Sequence, residues 1–133
     1  MAQLRSVIAL SVLVLAACSA AATGVRVGGP RLSDGDSFRM RPGTSVSITG
    51  EGTLQYVKVA SDSRCKPDVQ CVWAGDAEVA FEWRPASGAA DAFGLHTGKG
   101  DKSHPVGRHV LVLTALGNGK APVADLRLEA RKP

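Results

Sequence analysis

The sequence predicts an all-β domain, an immunoglobulin-like sandwich of about seven or eight short strands, with a small closed β-barrel as the alternative. Three observations lead there. Apolar residues recur at period two in one segment after another. Clusters rich in Gly, Pro, Asp and Ser separate these segments at short, regular spacing. No segment carries the capped pattern expected of a helix of about three turns.

The chain of 133 residues suits one domain and leaves no room for two. Charged residues make up 21% and aromatics 5%, which sets aside both a disordered tail and an aromatic-rich binding module. The net charge of +4 is mild, and part of it leaves with Arg5 if the leader is removed. A solvated basic surface accounts for it without a dedicated anionic partner. Of the three cysteines, Cys18 closes an apolar run, whereas Cys65 and Cys71 lie close together in a polar stretch. In an exported protein that pattern reads as one disulfide and one cysteine with another task.

Residues 1–17 have the form of a signal peptide. Arg5 supplies the positive charge, and Ser6 to Ala17 form an uncharged stretch. Such a stretch suits an export leader but is too short to span a bilayer, which takes about 20 apolar residues. Leu15-Ala16-Ala17-Cys18 resembles the bacterial lipobox. That resemblance implies cleavage before Cys18 and acyl chains on Cys18, because stable anchoring needs more than one chain. Ser19, rather than Asp, after the cysteine favours the outer membrane in the sorting pattern of such lipoproteins, with the domain facing the periplasm. The alternative is cleavage after Ala20-Ala21-Ala22, before Thr23, which would release a soluble periplasmic protein. Residues 18–31 are small and Gly-rich and read as a lipidated N-terminus and tether, although Val25 and Val27 suit a brief edge strand.

The β domain is expected over residues 32–133. Phe38 and Met40 alternate with arginines, and Val46 and Ile48 with Ser and Thr. Leu54 to Val59 is strand-like, with apolar residues on both parities towards its end. The clearest strand is Ala77 to Arg84, where Ala77, Val79, Phe81 and Trp83 share one face and Glu78, Glu82 and Arg84 the other. Phe93 and Leu95 mark a short strand. Val110 to Leu116 is a nearly continuous apolar run, as expected of a strand covered on both faces, and Leu126 and Leu128 alternate with charged residues in the last strand.

One stretch differs from this pattern: Ser61-Asp-Ser-Arg-Cys65-Lys-Pro-Asp-Val-Gln-Cys71-Val-Trp-Ala-Gly-Asp-Ala77. Cys65 and Cys71 close a small ring that an oxidising periplasm would join as a disulfide, contributing roughly 2 kcal/mol. Pro67 bends the loop, and Asp62 or Ser63 are suited to accept backbone hydrogen bonds at its entry. One reading is a pinned crossover with Trp73 packed over the sulfurs. The other is a knuckle that presents Arg64, Lys66 and Trp73 to a partner. A redox-active pair is disfavoured because the spacing is not Cys-x-x-Cys. The stretch resembles the D-S-R-C-P-x-x-V-x-C-x-W-x-G-x-A signature of a family of small bacterial envelope lipoproteins. Here Lys66 intervenes before Pro67, where the family places proline directly after the first cysteine. The resemblance implies an envelope compartment and carries no settled activity.

His96, His104 and His109 lie near Asp91 and Asp101 in what reads as a long basic loop. Three imidazoles are able to ligate Zn or Cu, but a loop does not force them together. Gly98-Lys99 lacks the glycine spacing and the following helix of a phosphate-binding loop. No G-x-S-x-G motif or recognisable acid/base pair is present. Catalysis, a cofactor and nucleic acid as partner are therefore not expected. A non-catalytic binding or scaffolding lipoprotein is the first expectation. It would be held to the membrane through Cys18 and would touch an envelope protein or an anionic envelope polymer. A periplasmic metal-binding protein using the three histidines is the second, and an inhibitor of a periplasm-invading enzyme such as a lysozyme the third.

Overall fold

Strict alternation commits each strand to one buried face, and two such faces must meet. In the computed structural model, which describes residues 31–133, they do so as two sheets. The strands are β1 (Arg31–Leu32), β2 (Ser37–Met40), β3 (Ser45–Ile48), β4 (Gly52–Asp62), β5 (Ala77–Pro85), β6 (Asp91–His96), β7 (Ser103–Val106), β8 (His109–Leu116) and β9 (Ala124–Ala130). One sheet has the order β1-β3-β4-β5-β6 and the other β2-β9-β8-β7. Every pairing is antiparallel except the short parallel contact of β1 with β3. The sheets remain separate ladders, so the chain is an all-β sandwich and not a closed barrel. The leader, Cys18, and Val25 and Val27 in the tether lie outside the described residues.

The inward faces follow the alternation. Ala77, Val79, Phe81 and Trp83 are all buried on β5, while Glu78 and Glu82 are half-buried and Arg84 is exposed. Leu54 and Tyr56 join them from β4 and meet Met40, Leu111, Leu126 and Leu128 from the other sheet. Tyr56 and Phe81 pack with ring centroids 5.4 Å apart, a separation typical of favourable aromatic pairs. The mixed parity of β4 has a cause. Its pairing with β5 shifts register between Tyr56 and Lys58, so Val59 turns inward opposite Val79 and Val57 is left exposed.

Two expectations need correction. The stretch around the histidines is not one long loop: His96 ends β6, His104 lies in β7 and His109 opens β8. The strand β7 contains Pro105, which weakens any strand reading, but β7 is an edge strand, where a missing N–H costs no ladder bond. The run in β8 is not covered on both faces. His109, Leu111 and Leu113 point inward, whereas Val110 and Val112 are half-buried on an outer face that no third layer covers among the described residues. Among the described residues nine strands form, close to the seven or eight expected; the alternation marks all but β1, which has only two residues, and β7, whose Ser-His-Pro-Val sequence has no alternating apolar face.

Both sheets end together at one pole. There β4 closes on β5 through Asp62 and Ala77, β6 ends at His96 opposite Glu78, and β8 ends at Leu116. The buried Tyr56 hydroxyl crosses between the layers and donates to the carbonyl of Pro122 at 2.9 Å. Tyr56→Phe leaves that carbonyl without its donor and should lower stability by about 1–2 kcal/mol. Urea unfolding at unchanged m-value is the measurement; an unchanged midpoint would mean that the bond adds nothing.

Candidate functional site

The segment 63–76 joins the two longest strands and rises from this pole as a knuckle. Its ring is closed by a disulfide between Cys65 and Cys71, with Cα atoms 5.9 Å apart. A turn inside the ring is held by Val69 N–H donating to Lys66 O at 3.1 Å. At the base, Ser63 N–H donates to Asp76 O at 2.8 Å, and the Ser63 hydroxyl accepts from Asp76 N–H at 3.0 Å. Gly75 is required at that crossing, because a Cβ there would stand 1.7 Å from the Ser63 carbonyl oxygen. A side chain would force the two strand ends apart.

Arg64 anchors the knuckle to the opposite sheet. Its Nε and one Nη donate to the two oxygens of Asp62 at 2.9 and 2.7 Å, a bidentate pair. The remaining donors reach the Leu116 and Gly117 carbonyls, both at 2.8 Å. These hydrogen bonds hold the Asp62 carboxyl below its ordinary value. With 18% of its side chain exposed and four hydrogen bonds from its guanidinium, Arg64 acts as a structural clasp.

Trp73 behaves in the opposite way to the packed reading. It does not lie over the sulfurs but is 79% exposed, next to Val72 at 96% and with Val69 also exposed in the ring. Lys66 is exposed beside them. The reason is geometric. Both sheets already fill their shared interior, and the short ring holds the loop clear of it. Of the sequence-nominated contacts, Lys66 and Trp73 face solvent and Arg64 turns inward; Val69 and Val72 join the exposed group. Sequence alternation has no signal for those valines, because the ring is not a strand. An open groove of about 480 Å³ separates the knuckle from Asn118 and Gly119 and is lined also by Asp62, Arg64, Lys66 and Pro67.

The three histidines do not converge. His96 Nδ1 lies 2.6 Å from Asp76, His104 Nε2 lies 2.7 Å from Asp91, and His109 pairs with Asp34 at the opposite pole. The His104 ring also stacks on Phe93 with centroids 3.8 Å apart. Among the described residues, no three His, Cys, Asp or Glu side chains group as a metal site would need. The Asp76–His96 pair belongs to the knuckle. Asp76 also accepts from Gly98 N–H at 2.7 Å, tying the knuckle base to the end of β6. A Cβ on Gly100 would press on the His96 ring at 2.7 Å, so the glycine lets the loop close over the imidazole.

Two predictions follow from the geometry at the base. Arg64→Lys removes the bidentate fork and leaves the carbonyls of Leu116 and Gly117 under-satisfied. It should cost about 2–3 kcal/mol in urea unfolding, and a wild-type midpoint would refute the clasp. The second concerns pH. The Asp76 hydrogen bond raises the His96 pKa above 6.5, and the His96 hydrogen bond, first among its causes, lowers the Asp76 pKa below 3.8. The stabilisation from His96 is therefore complete below 6.5 and fades as pH rises through its raised folded value. That from Asp76 is present above 3.8 and fades as pH falls through its lowered folded value. The stability deficit of Asp76→Asn should be greatest between these limits, and the His96 midpoint followed by NMR should fall in that variant; an unmoved midpoint would exclude the pairing. Comparisons of the chain with protein families, with curated proteins and with solved structures each return no match.

Proposed function

We propose that this chain is a cell-envelope lipoprotein, exported by residues 1–17, held by acyl chains on Cys18, and carrying a non-catalytic binding or scaffolding domain. The observation that carries the binding role is the exposed group of Val69, Val72 and Trp73 on a loop pinned by a disulfide and by Arg64. Large apolar side chains gain nothing from water, and an aromatic anchor held rigid before contact loses little freedom on binding. The surface has the composition of an interaction site, and the constraints beneath it keep it from collapsing onto the core.

The compartment follows from sequence. The leader and Leu15-Ala16-Ala17-Cys18 supply the anchor reading, and a structural disulfide belongs in an oxidising space. Within the sandwich Arg64 is held by Asp62 and two carbonyls, and the three histidines lie apart, each paired with a different aspartate.

Intact mass of the mature protein extracted from membranes tests the anchor. Expected is a chain beginning at Cys18 and heavier by its acyl groups, with Cys18→Ala moving the protein into the soluble fraction. A mature chain beginning at Thr23 would replace this reading with a soluble periplasmic protein.

A further inference from the structure

We infer that the occupant of the Trp73 knuckle is the lipid surface in which the chain's own anchor sits, a bilayer bearing anionic headgroups. This rests on the lipoprotein reading above. Three observations point to a bilayer: two place the anchored surface within the knuckle's reach, and the third is the chemistry of the pole.

The first is the direction in which the chain enters the fold. Strand β1 runs parallel to β3, with Arg31 opposite Ser47 and Leu32 opposite Ile48, and Ile48 pairs with Gly52 at the pole far from the knuckle. The chain therefore passes Arg31 travelling away from the knuckle pole. An anchor upstream of Arg31 is reached on the knuckle side without reversing the chain.

The second is length. Arg31 stands level with Ser47, which pairs with Thr53, and β4 rises from Thr53 to Asp62 by about 30 Å. Between Cys18 and Arg31 the chain has a reach of up to about 45 Å. That reach covers the strand and leaves about 15 Å for the height of the knuckle. A tether of this length lets the knuckle meet the plane of the anchored cysteine while limiting how far the domain can stand away from it.

The third is the chemistry of the pole. Trp73, Val72 and Val69 offer an indole with two aliphatic neighbours, the combination that sits well at headgroup level. Around them stand Lys66 in the ring, Lys99 and Lys102 between β6 and β7, and Lys120 between β8 and β9, against Asp68 and Asp101. Among the described residues none of these six forms an ion pair. Of the other charges at this pole, Asp62 with Arg64, Asp76 with His96 and Arg39 with Asp125 are paired, and Glu78 near the start of β5 is offset by Arg41 after β2. The free balance is positive, as an anionic surface requires. Apolar contact and positive charge both point away from the sandwich at one end, as flat docking on a bilayer requires.

The test uses the full mature chain, purified from membranes and reconstituted into vesicles of phosphatidylethanolamine with phosphatidylglycerol carrying brominated acyl chains. Bromine quenches tryptophan only at close range. The protein has two tryptophans, Trp73 exposed and Trp83 at 4% exposure inside the sandwich. Expected is quenching of an emission component that disappears in Trp73→Phe, leaving the Trp83 signal unquenched. Replacing Lys66, Lys99, Lys102 and Lys120 together with glutamine should weaken the contact by about fivefold per lysine at low salt. An acylated chain whose Trp73 stays unquenched keeps the anchor and overturns the docking. The same holds if Trp73 is unquenched and crosslinks to an envelope protein. A chain found without acyl groups on Cys18 removes the tether, and the docking falls with the anchor.

Discussion

The guanidinium of Arg64 joins three parts of the molecule: the end of β4, the base of the knuckle and the end of β8. The two sheets share no ladder, so their registration rests on interleaved side chains and on a few polar ties between their ends. Arg64 is the strongest of these at the knuckle pole, linking the end of β4 through Asp62 to the Leu116 and Gly117 carbonyls at the end of β8. Its donors saturate acceptors that would otherwise be left bare where a strand stops. Tyr56 makes a second tie beside it, through the carbonyl of Pro122. The knuckle is rigid because its first residues are part of this clasp.

From that constraint the rest of the pole follows. Asp62 and Asp76 flank the loop, and each is paired on a different side, with Arg64 for one and His96 for the other. Gly75 allows the strands to meet below the ring, and the disulfide prevents the ring from unfolding into an open loop. A loop fixed at its base and closed at its tip cannot fold its own apolar residues inward. Trp73 and Val72 are exposed for that reason. At the other pole the polar ties are Arg108 with Glu51 and the buried His109 with Asp34, and among the described residues no comparable exposed apolar group stands there.

The histidines show how far spacing along the chain can mislead. His96, His104 and His109 fall within a short stretch of sequence, yet the stretch is folded into the end of one strand, a whole edge strand and the start of another. The first of these strands, β6, belongs to one sheet and β7 and β8 to the other, and each imidazole meets a different carboxylate. Proximity in sequence measured nothing about proximity in space, because two chain reversals intervene.

By itself the sequence determined the all-β class, the buried face of β5, and the positions of seven strands, since period-two alternation is a local property that burial against any partner layer must respect. It also determined the pairing of Cys65 with Cys71, which their closeness in the chain makes nearly unavoidable. Tertiary structure alone decided β1, which has too few residues for a period, and β7, which contains Pro105; both exist because a neighbouring strand supplies their hydrogen bonds. It alone decided that Arg64 turns inward while Trp73 turns outward. An arginine and a tryptophan in a polar loop look equally available in one dimension. Which of them is used internally depends on whether unsatisfied carbonyls lie within reach, and those carbonyls come from a strand end in the opposite sheet, more than fifty residues away in the chain.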